Sequence, residues 1–240
     1  MPHLDLVFVA DDAWFPYGPR DDQDIEARVV GVIGDLVDQI DPIAVVVACH
    51  TASTLVLGPL RERVSIPVVG TVPAIKPAAR MTQSGVVAVL ATEGTIRRDF
   101  TRSLIDEFAV DCHVRLIGSS LLATYAEAEL RGEPVSDQAI RVELDPAFVE
   151  LDQGRTDHVV LACTHYPILL DRLVELAPWQ VNWIDPAPAI ARRLAEMVDG
   201  TPTGDGSGFA VQTSGRPWSD PLVHRLEEIG LSPVVGKGGI

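Results

Sequence analysis

Cysteine is scarce in this chain. Its three cysteines, Cys49, Cys112 and Cys163, are odd in number and far apart, which excludes a disulfide framework and makes the cytoplasm the expected compartment. Basic charge is also in short supply: 19 Lys and Arg stand against 34 Asp and Glu, a net charge of −15. Nucleic acids and anionic membrane surfaces are held by basic patches, so neither is an expected partner. A small anionic metabolite is still compatible, because backbone N–H groups at helix starts bind anions without any cationic side chain. Apolar runs stay short of the ~18–20 residues a membrane span requires. The first residues carry acids rather than a basic region before an apolar stretch, so no signal peptide is expected. What remains is a 240-residue chain with 47% hydrophobic residues, enough to bury the core of one large or two small globular domains.

Two short stretches repeat one pattern. Val45-Val46-Val47-Ala48-Cys49-His50-Thr51 and Val159-Val160-Leu161-Ala162-Cys163-Thr164-His165 each run an apolar, β-branched segment into a cysteine and then polar residues. Such runs read as buried parallel strands, and ligands in open α/β sheets bind beyond the carboxyl ends of the strands. Two strand ends of this kind place two thiols on opposite sides of one small substrate. That is the arrangement for removing a proton from one face of a carbon and delivering another to the opposite face. A strand cysteine taken alone is more often a core residue than a catalyst, and Cys112, which has no matching context, keeps that assignment. Cys49-His50 and Cys163-x-His165 lack the ligand spacing of a zinc site.

Strands and helices alternate along the chain. Strands are expected over 4–9, 43–48, 66–70, 86–90, 114–117, 159–162, 181–184 and 209–213. Helices are expected over 21–40, 51–64, 73–81, near 95–108, 121–130, 137–152, 168–176, 188–198 and 220–229, with Asp21 or Asp22 as the first N-cap. His113 and His158 are expected in solvent and His224 on a surface helix. Repeated βα units imply parallel sheets flanked by helices. The fold class is therefore α/β, with two pseudo-symmetric lobes facing each other across a cleft. One lobe takes residues 1–84 and 209–240, the other residues 85–200, with a Gly-rich connection at 201–208.

Pro16-Tyr17-Gly18-Pro19, Ala48-Cys49-His50-Thr51-Ala52-Ser53 and Cys163-Thr164-His165-Tyr166-Pro167 together resemble the three signature segments of cofactor-independent glutamate racemases. Further stretches agree in order: 66–70, 86–95, 121–127, 185–191 and Thr213-Ser214-Gly215. The resemblance implies a two-base reaction with no pyridoxal phosphate and no metal. One cysteine thiolate takes the α-proton of glutamate, and the other cysteine, protonated, reprotonates the opposite face, supplying D-glutamate for peptidoglycan. It makes Cys49, Cys163, His165 and Glu127 the catalytic candidates. His165, with Glu127 behind it, is the proton partner of Cys163. Tyr17, Gly18, His50, Thr51, Thr164 and His165 are the substrate-binding candidates.

Two departures bear on that expectation. The family opens with a strand ending in Asp-Ser-Gly, whereas this chain begins at the next strand; the Asp is the family's acidic partner for the first cysteine. Asp11 and Asp12, at the end of the first strand, are the local residues placed to approach Cys49 instead. A missing strand is also expected to leave an apolar face uncovered and to favour association, a homodimer included. The second departure is His50, where the family has Asn. A cationic His50 would depress the thiol pKa of Cys49. Two alternatives stay open beside a glutamate racemase: a racemase or isomerase of another acidic substrate, and a non-catalytic family member that binds an acidic ligand or a partner protein.

Overall fold

The computed structural model describes residues 4–198 and 206–234. Strand β1 (Leu6–Ala10) is followed by helix α1 (Asp22–Ile40), β2 (Val45–Val47), α2 (His50–Arg63), β3 (Val68–Gly70) and α3 (Ile75–Met81). Then come β4 (Val86–Thr92), α4 (Glu93–Arg97), α5 (Asp99–Phe108), β5 (His113–Ser119), α6 (Leu122–Leu130) and α7 (Asp137–Leu144). A short hairpin, β6 (Glu150–Leu151) and β7 (Gly154–Arg155), leads into β8 (His158–Ala162), α8 (Leu170–Leu176), β9 (Asn182–Ile184) and α9 (Ala187–Val198). The chain then forms β10 (Gly208–Gln212), α10 (Asp220–Glu228) and β11 (Ser232–Val234).

The second lobe is built on one parallel four-stranded sheet in the order β5-β4-β8-β9. Its two central strands, β4 and β8, are buried along nearly their whole length, as their continuous apolar runs require when helices cover both faces. Side chains alternate between the faces. Ala88, Leu90, Val159 and Leu161 pack with Leu122, Ile140, Leu144 and Leu173 of α6, α7 and α8. Val87, Val89, Val160 and Ala162 pack with Ile75 and Ala78 of α3 and with Leu104 and Ile105 of α5. Burying apolar surface on both faces at about 25 cal/mol per Å² is the main stabilising term for this lobe.

The first lobe has two smaller parallel sheets, β1-β10-β11 and β2-β3. Helices α1 and α2 cover β2-β3 with Ile25, Val29, Val56 and Leu60 against Val47 and Val68. Helix α1 starts where expected: the Asp21 side chain accepts from the Gln23 N–H at 2.9 Å, satisfying one of the orphan donors at a helix start. Among the described residues β1 pairs along one edge only, with β10. Leu6, Val7 and Phe8 are 55%, 40% and 40% exposed, so both faces of this strand reach solvent. No helix among the described residues is long and apolar enough to cross a membrane.

Several elements depart from the periodicity. The helix expected near 95–108 begins earlier, as α4 at Glu93, and a break at Arg98 separates α4 from α5. Arg98 is extended there, and the Thr95 carbonyl accepts from the Thr101 hydroxyl at 2.7 Å and, more weakly, from the Arg98 N–H at 3.5 Å. The helix expected over 137–152 stops at Leu144. Pro146 cannot donate to a continuing helix; it sits in a 3-10 turn over Asp145–Ala147, before the β6–β7 hairpin. Strand β11 was not legible, being short and carrying Pro233. His158 is not in solvent: it is buried, with Nδ1 2.8 Å from Asp157 Oδ1. Most of the Gly-rich connection expected at 201–208 lies outside the described residues, and Gly208 already belongs to β10.

Candidate active site

Both cysteine strands end where the periodicity places them, and the fold brings the two ends together. The Thr164 hydroxyl, beside Cys163, donates to the carbonyl of Ala48, beside Cys49, at 3.2 Å. The two thiols are near enough that the charge of Cys49 raises the pKa of Cys163.

Cys49 follows β2 and occupies the N-cap position of α2. Burial pushes its thiol pKa up, while the backbone N–H groups of Ala52 and Thr51 and the Thr51 hydroxyl pull it down. Donors at a helix start favour the thiolate in this way. Cys163 follows β8 and is buried. Its pKa is pushed up to about 12 by burial, against backbone donors at His165 and Tyr166. Repulsion between two adjacent thiolates makes one thiolate beside one thiol the favoured charged form of the pair.

A relay stands behind Cys163. His165 Nδ1 lies 4.0 Å from Cys163 Sγ, and His165 Nε2 lies 3.0 Å from Glu127 Oε1 on α6. Glu127 is held below its ordinary carboxylate pKa, first by the His165 hydrogen bond against opposing burial, then by the charges of His165 and Arg131. An ionised carboxylate only accepts, so Nε2 donates to Glu127, and Nδ1 is the ring nitrogen that faces Cys163. Phe15, from the first lobe, packs on the same imidazole with ring centroids 5.3 Å apart.

The Tyr17-Gly18 turn closes the first-lobe side. Tyr17 Oη donates to Asp11 Oδ2 at 2.6 Å. Burial first and Asp11 second raise the Tyr17 pKa, so the hydroxyl stays protonated. The hydroxyl proton is thus committed to Asp11, and the backbone of Tyr17 and Gly18 is what this turn offers a ligand. Gly18 lies against the start of α4: a Cβ added at Gly94 would sit 2.9 Å from the Gly18 carbonyl oxygen and 3.0 Å from Thr51 Cγ2. Thr51 Oγ1 is 2.8 Å from Thr92 Oγ1 and 3.2 Å from Thr95 Oγ1. Thr92 and Thr95 were not among the sequence candidates. The one signal was a Thr-x-x-Thr at a strand end, which alone reads as a helix cap, and Thr92 does accept from the Thr95 N–H.

Two expectations are corrected. Asp11 and Asp12 do not partner Cys49. Asp11 accepts from Tyr17, from Arg28 at 3.0 and 2.5 Å, and from the Thr213 hydroxyl at 2.5 Å. Burial pushes its pKa up, but these hydrogen bonds outweigh it and the net shift is down. Asp12 is taken by the backbone N–H and hydroxyl of Ser214. Nor does His50 supply a positive charge beside Cys49. It is 2% exposed and neither ring nitrogen finds a hydrogen-bond partner. Burial lowers its pKa to about 4, with a weaker opposing pull from the Val72 backbone, so the ring is neutral at neutral pH.

The Asp/Glu/Hydantoin racemase family model matches residues 1–194. A glutamate racemase of Agrobacterium fabrum is 50% identical over 237 residues, covering 97% of this chain and 86% of that protein. A glutamate racemase of Brucella anthropi is 54% identical over 199 residues, covering 82% of this chain and 72% of that protein. Among solved structures, Escherichia coli glutamate racemase in complex with L-glutamate and the activator UDP-MurNAc-Ala superposes with a TM-score of 0.88. It is 37% identical and covers 98% of this chain and 90% of that one. Thermus thermophilus glutamate racemase, in complex with β-chloro-D-alanine, gives a TM-score of 0.76 at 27% identity, covering 98% of this chain and 88% of that one. The two cysteine strand ends thus sit in a chain that belongs to the Asp/Glu/Hydantoin racemase family.

Proposed function

We propose that the protein interconverts L- and D-glutamate by proton transfer at Cα between two cysteines, supplying D-glutamate for peptidoglycan. The observation that carries this is the Thr164–Ala48 hydrogen bond, which joins the two cysteine strand ends across the cleft. Cys49 and Cys163 are the two bases, each taking the proton in one direction and giving it in the other. His165, backed by Glu127, receives or returns the thiol proton of Cys163. Thr51, Thr164, His50 and the backbone of Tyr17 and Gly18 hold the substrate; helix-start donors favour its carboxylates. The acid–base chemistry is supplied by side chains, so no cofactor or metal enters.

The lobe boundaries 1–84 with 209–240, and 85–200, belong to the same reading, with α3 crossing over to pack Ile75 and Ala78 on the second-lobe sheet. Parallel pairing of β1 with β10 supports the return of the chain to the first lobe. So do a cytoplasmic location, supported by three free cysteines, and the absence of a nucleic-acid partner, supported by the charge of −15. A homodimer is supported by the exposed apolar side chains of β1.

Proton NMR of L-glutamate and, separately, D-glutamate in D₂O tests the activity. The Cα hydrogen signal is expected to disappear from both while the opposite enantiomer appears. Cys49→Ala and Cys163→Ala are each expected to abolish racemisation with the fold retained by circular dichroism. Exchange from neither enantiomer in folded wild-type protein would overturn a glutamate racemase and point to another acidic substrate or to ligand binding alone.

A further inference from the structure

The Cys163 relay does not end at Glu127. The two oxygens of that carboxylate are divided between two partners: Oε1 faces His165 Nε2 at 3.0 Å, and Oε2 accepts from Arg131 Nη2 at 2.7 Å. Glu127 and Arg131 are one helical turn apart, with the acid N-terminal to the base, the favourable order for such a pair. Arg131 is the C-cap residue of α6, with its backbone N–H bonded to the Glu127 and Ala128 carbonyls. Its backbone is therefore fixed where its guanidinium reaches back along the last turn.

We propose that Arg131 is a positioning residue for proton transfer at Cys163: by holding the outer oxygen of Glu127 it fixes the carboxylate with its inner oxygen on His165. This rests on the racemase assignment above. With the outer oxygen free, the carboxylate rotates about its last side-chain bond and the His165 contact loses its single geometry. The positive charge also keeps Glu127 ionised. The charged groups around α6 leave this role to Arg131. On α8, Arg172 is taken by Glu129 and Asp137. On α10, His224 and Arg225 are both paired with Glu228. On α7, Arg141 donates to the Leu176 carbonyl and Glu143 accepts from Ser119. Asp12, from the first lobe, also acts on Glu127 through its charge and pushes the pKa up.

Removing Arg131 removes a cause that lowers the Glu127 pKa, so the carboxyl must protonate at higher pH. The pair is partly exposed, and an exposed helical pair of this kind corresponds to a shift of about 0.3 pH units. The experiment compares wild type, Arg131→Gln and Arg131→Lys. It follows the Glu127 side-chain carbon through a pH titration by ¹³C NMR, assigned with Glu127→Gln. In parallel it records the acid limb of Cα-hydrogen exchange on glutamate. Arg131→Gln is expected to raise the Glu127 midpoint and the acid limb together, and Arg131→Lys to restore both in large part. An unchanged midpoint in Arg131→Gln, or a uniform loss of exchange at every pH without a shifted limb, would overturn the proposal. If wild type exchanges neither enantiomer, the racemase assignment fails, and the carbon titration still decides whether Arg131 holds Glu127.

Discussion

His50 carries two ring nitrogens without partners in a nearly closed site, and its charge state follows from that. Its pKa is lowered from 6.5 to about 4 by burial. Between these values the unfolded chain binds a proton that the folded protein does not. The stability from a neutral His50 is therefore complete above about pH 6.5 and is lost as pH falls toward 4. The linked loss is about 3 kcal/mol over that window. Urea unfolding of wild type and His50→Asn at pH 7 and pH 4 should show a smaller acid loss in the variant by about that amount; parallel curves would refute it. For the same reason the pH profile of Cα exchange in His50→Asn should match wild type between pH 6 and 9. A cationic His50 at the Cys49 thiol would shift it.

At the scale of elements, the cleft depends on a close approach between the Tyr17-Gly18 turn and the start of α4. Gly94 is buried, and the atoms a Cβ would meet are largely backbone, which cannot swing aside. Gly94→Ala should push α4 away from Gly18 and Thr51 and strain the Thr51-Thr92-Thr95 contacts. Racemisation is expected to fall by about tenfold or more, since a misplacement of ~1 Å at a site costs on the order of a hundredfold. The same overpacking costs stability, about 1–3 kcal/mol for a buried site, so the unfolding midpoint should fall by several degrees while the variant still folds. Full activity in the variant would count against this turn as part of the site. Most elements were legible from periodicity because their apolar spacing is local. The breaks at Arg98 and Leu144 were less so. The first is stabilised by Thr101 and by an Arg98–Asp22 ion pair of 2.6 Å reaching across to α1. The second is held by Thr156, whose hydroxyl donates to the Ala147 carbonyl at 2.9 Å.

At the scale of the whole molecule, the two lobes meet through Thr164 and Ala48, Phe15 and His165, Thr51 and Thr92, and Arg98 and Asp22. A ligand seated between them binds the folded state alone and must stabilise it. At a free concentration of about 100 Kd, glutamate should add about 2.7 kcal/mol to unfolding stability. For a chain of this size that is a rise in Tm of several degrees. Thermal unfolding with L-glutamate, D-glutamate and L-aspartate checks it. Both glutamate enantiomers should raise Tm, and the shorter aspartate should do so less at equal concentration. An equal response to aspartate would favour a broader acidic substrate range.

The sequence alone determined that two apolar strands end in cysteine and that the sheets are parallel, and its resemblance to glutamate racemases made Cys49, Cys163, His165 and Glu127 the residues to follow. Strand pattern, helical spacing and motif order are local properties, written in consecutive residues. Charge states and pairings were decided by the tertiary structure. That Asp11 serves Tyr17 and Arg28 rather than Cys49, that His50 is neutral, and that Arg131 shares Glu127 with His165 depend on burial and on which side chains face each other. The contact joining the two cysteine ends links residues 116 positions apart. Desolvation and Coulomb energy are set by distance in space, and only the folded chain fixes that distance.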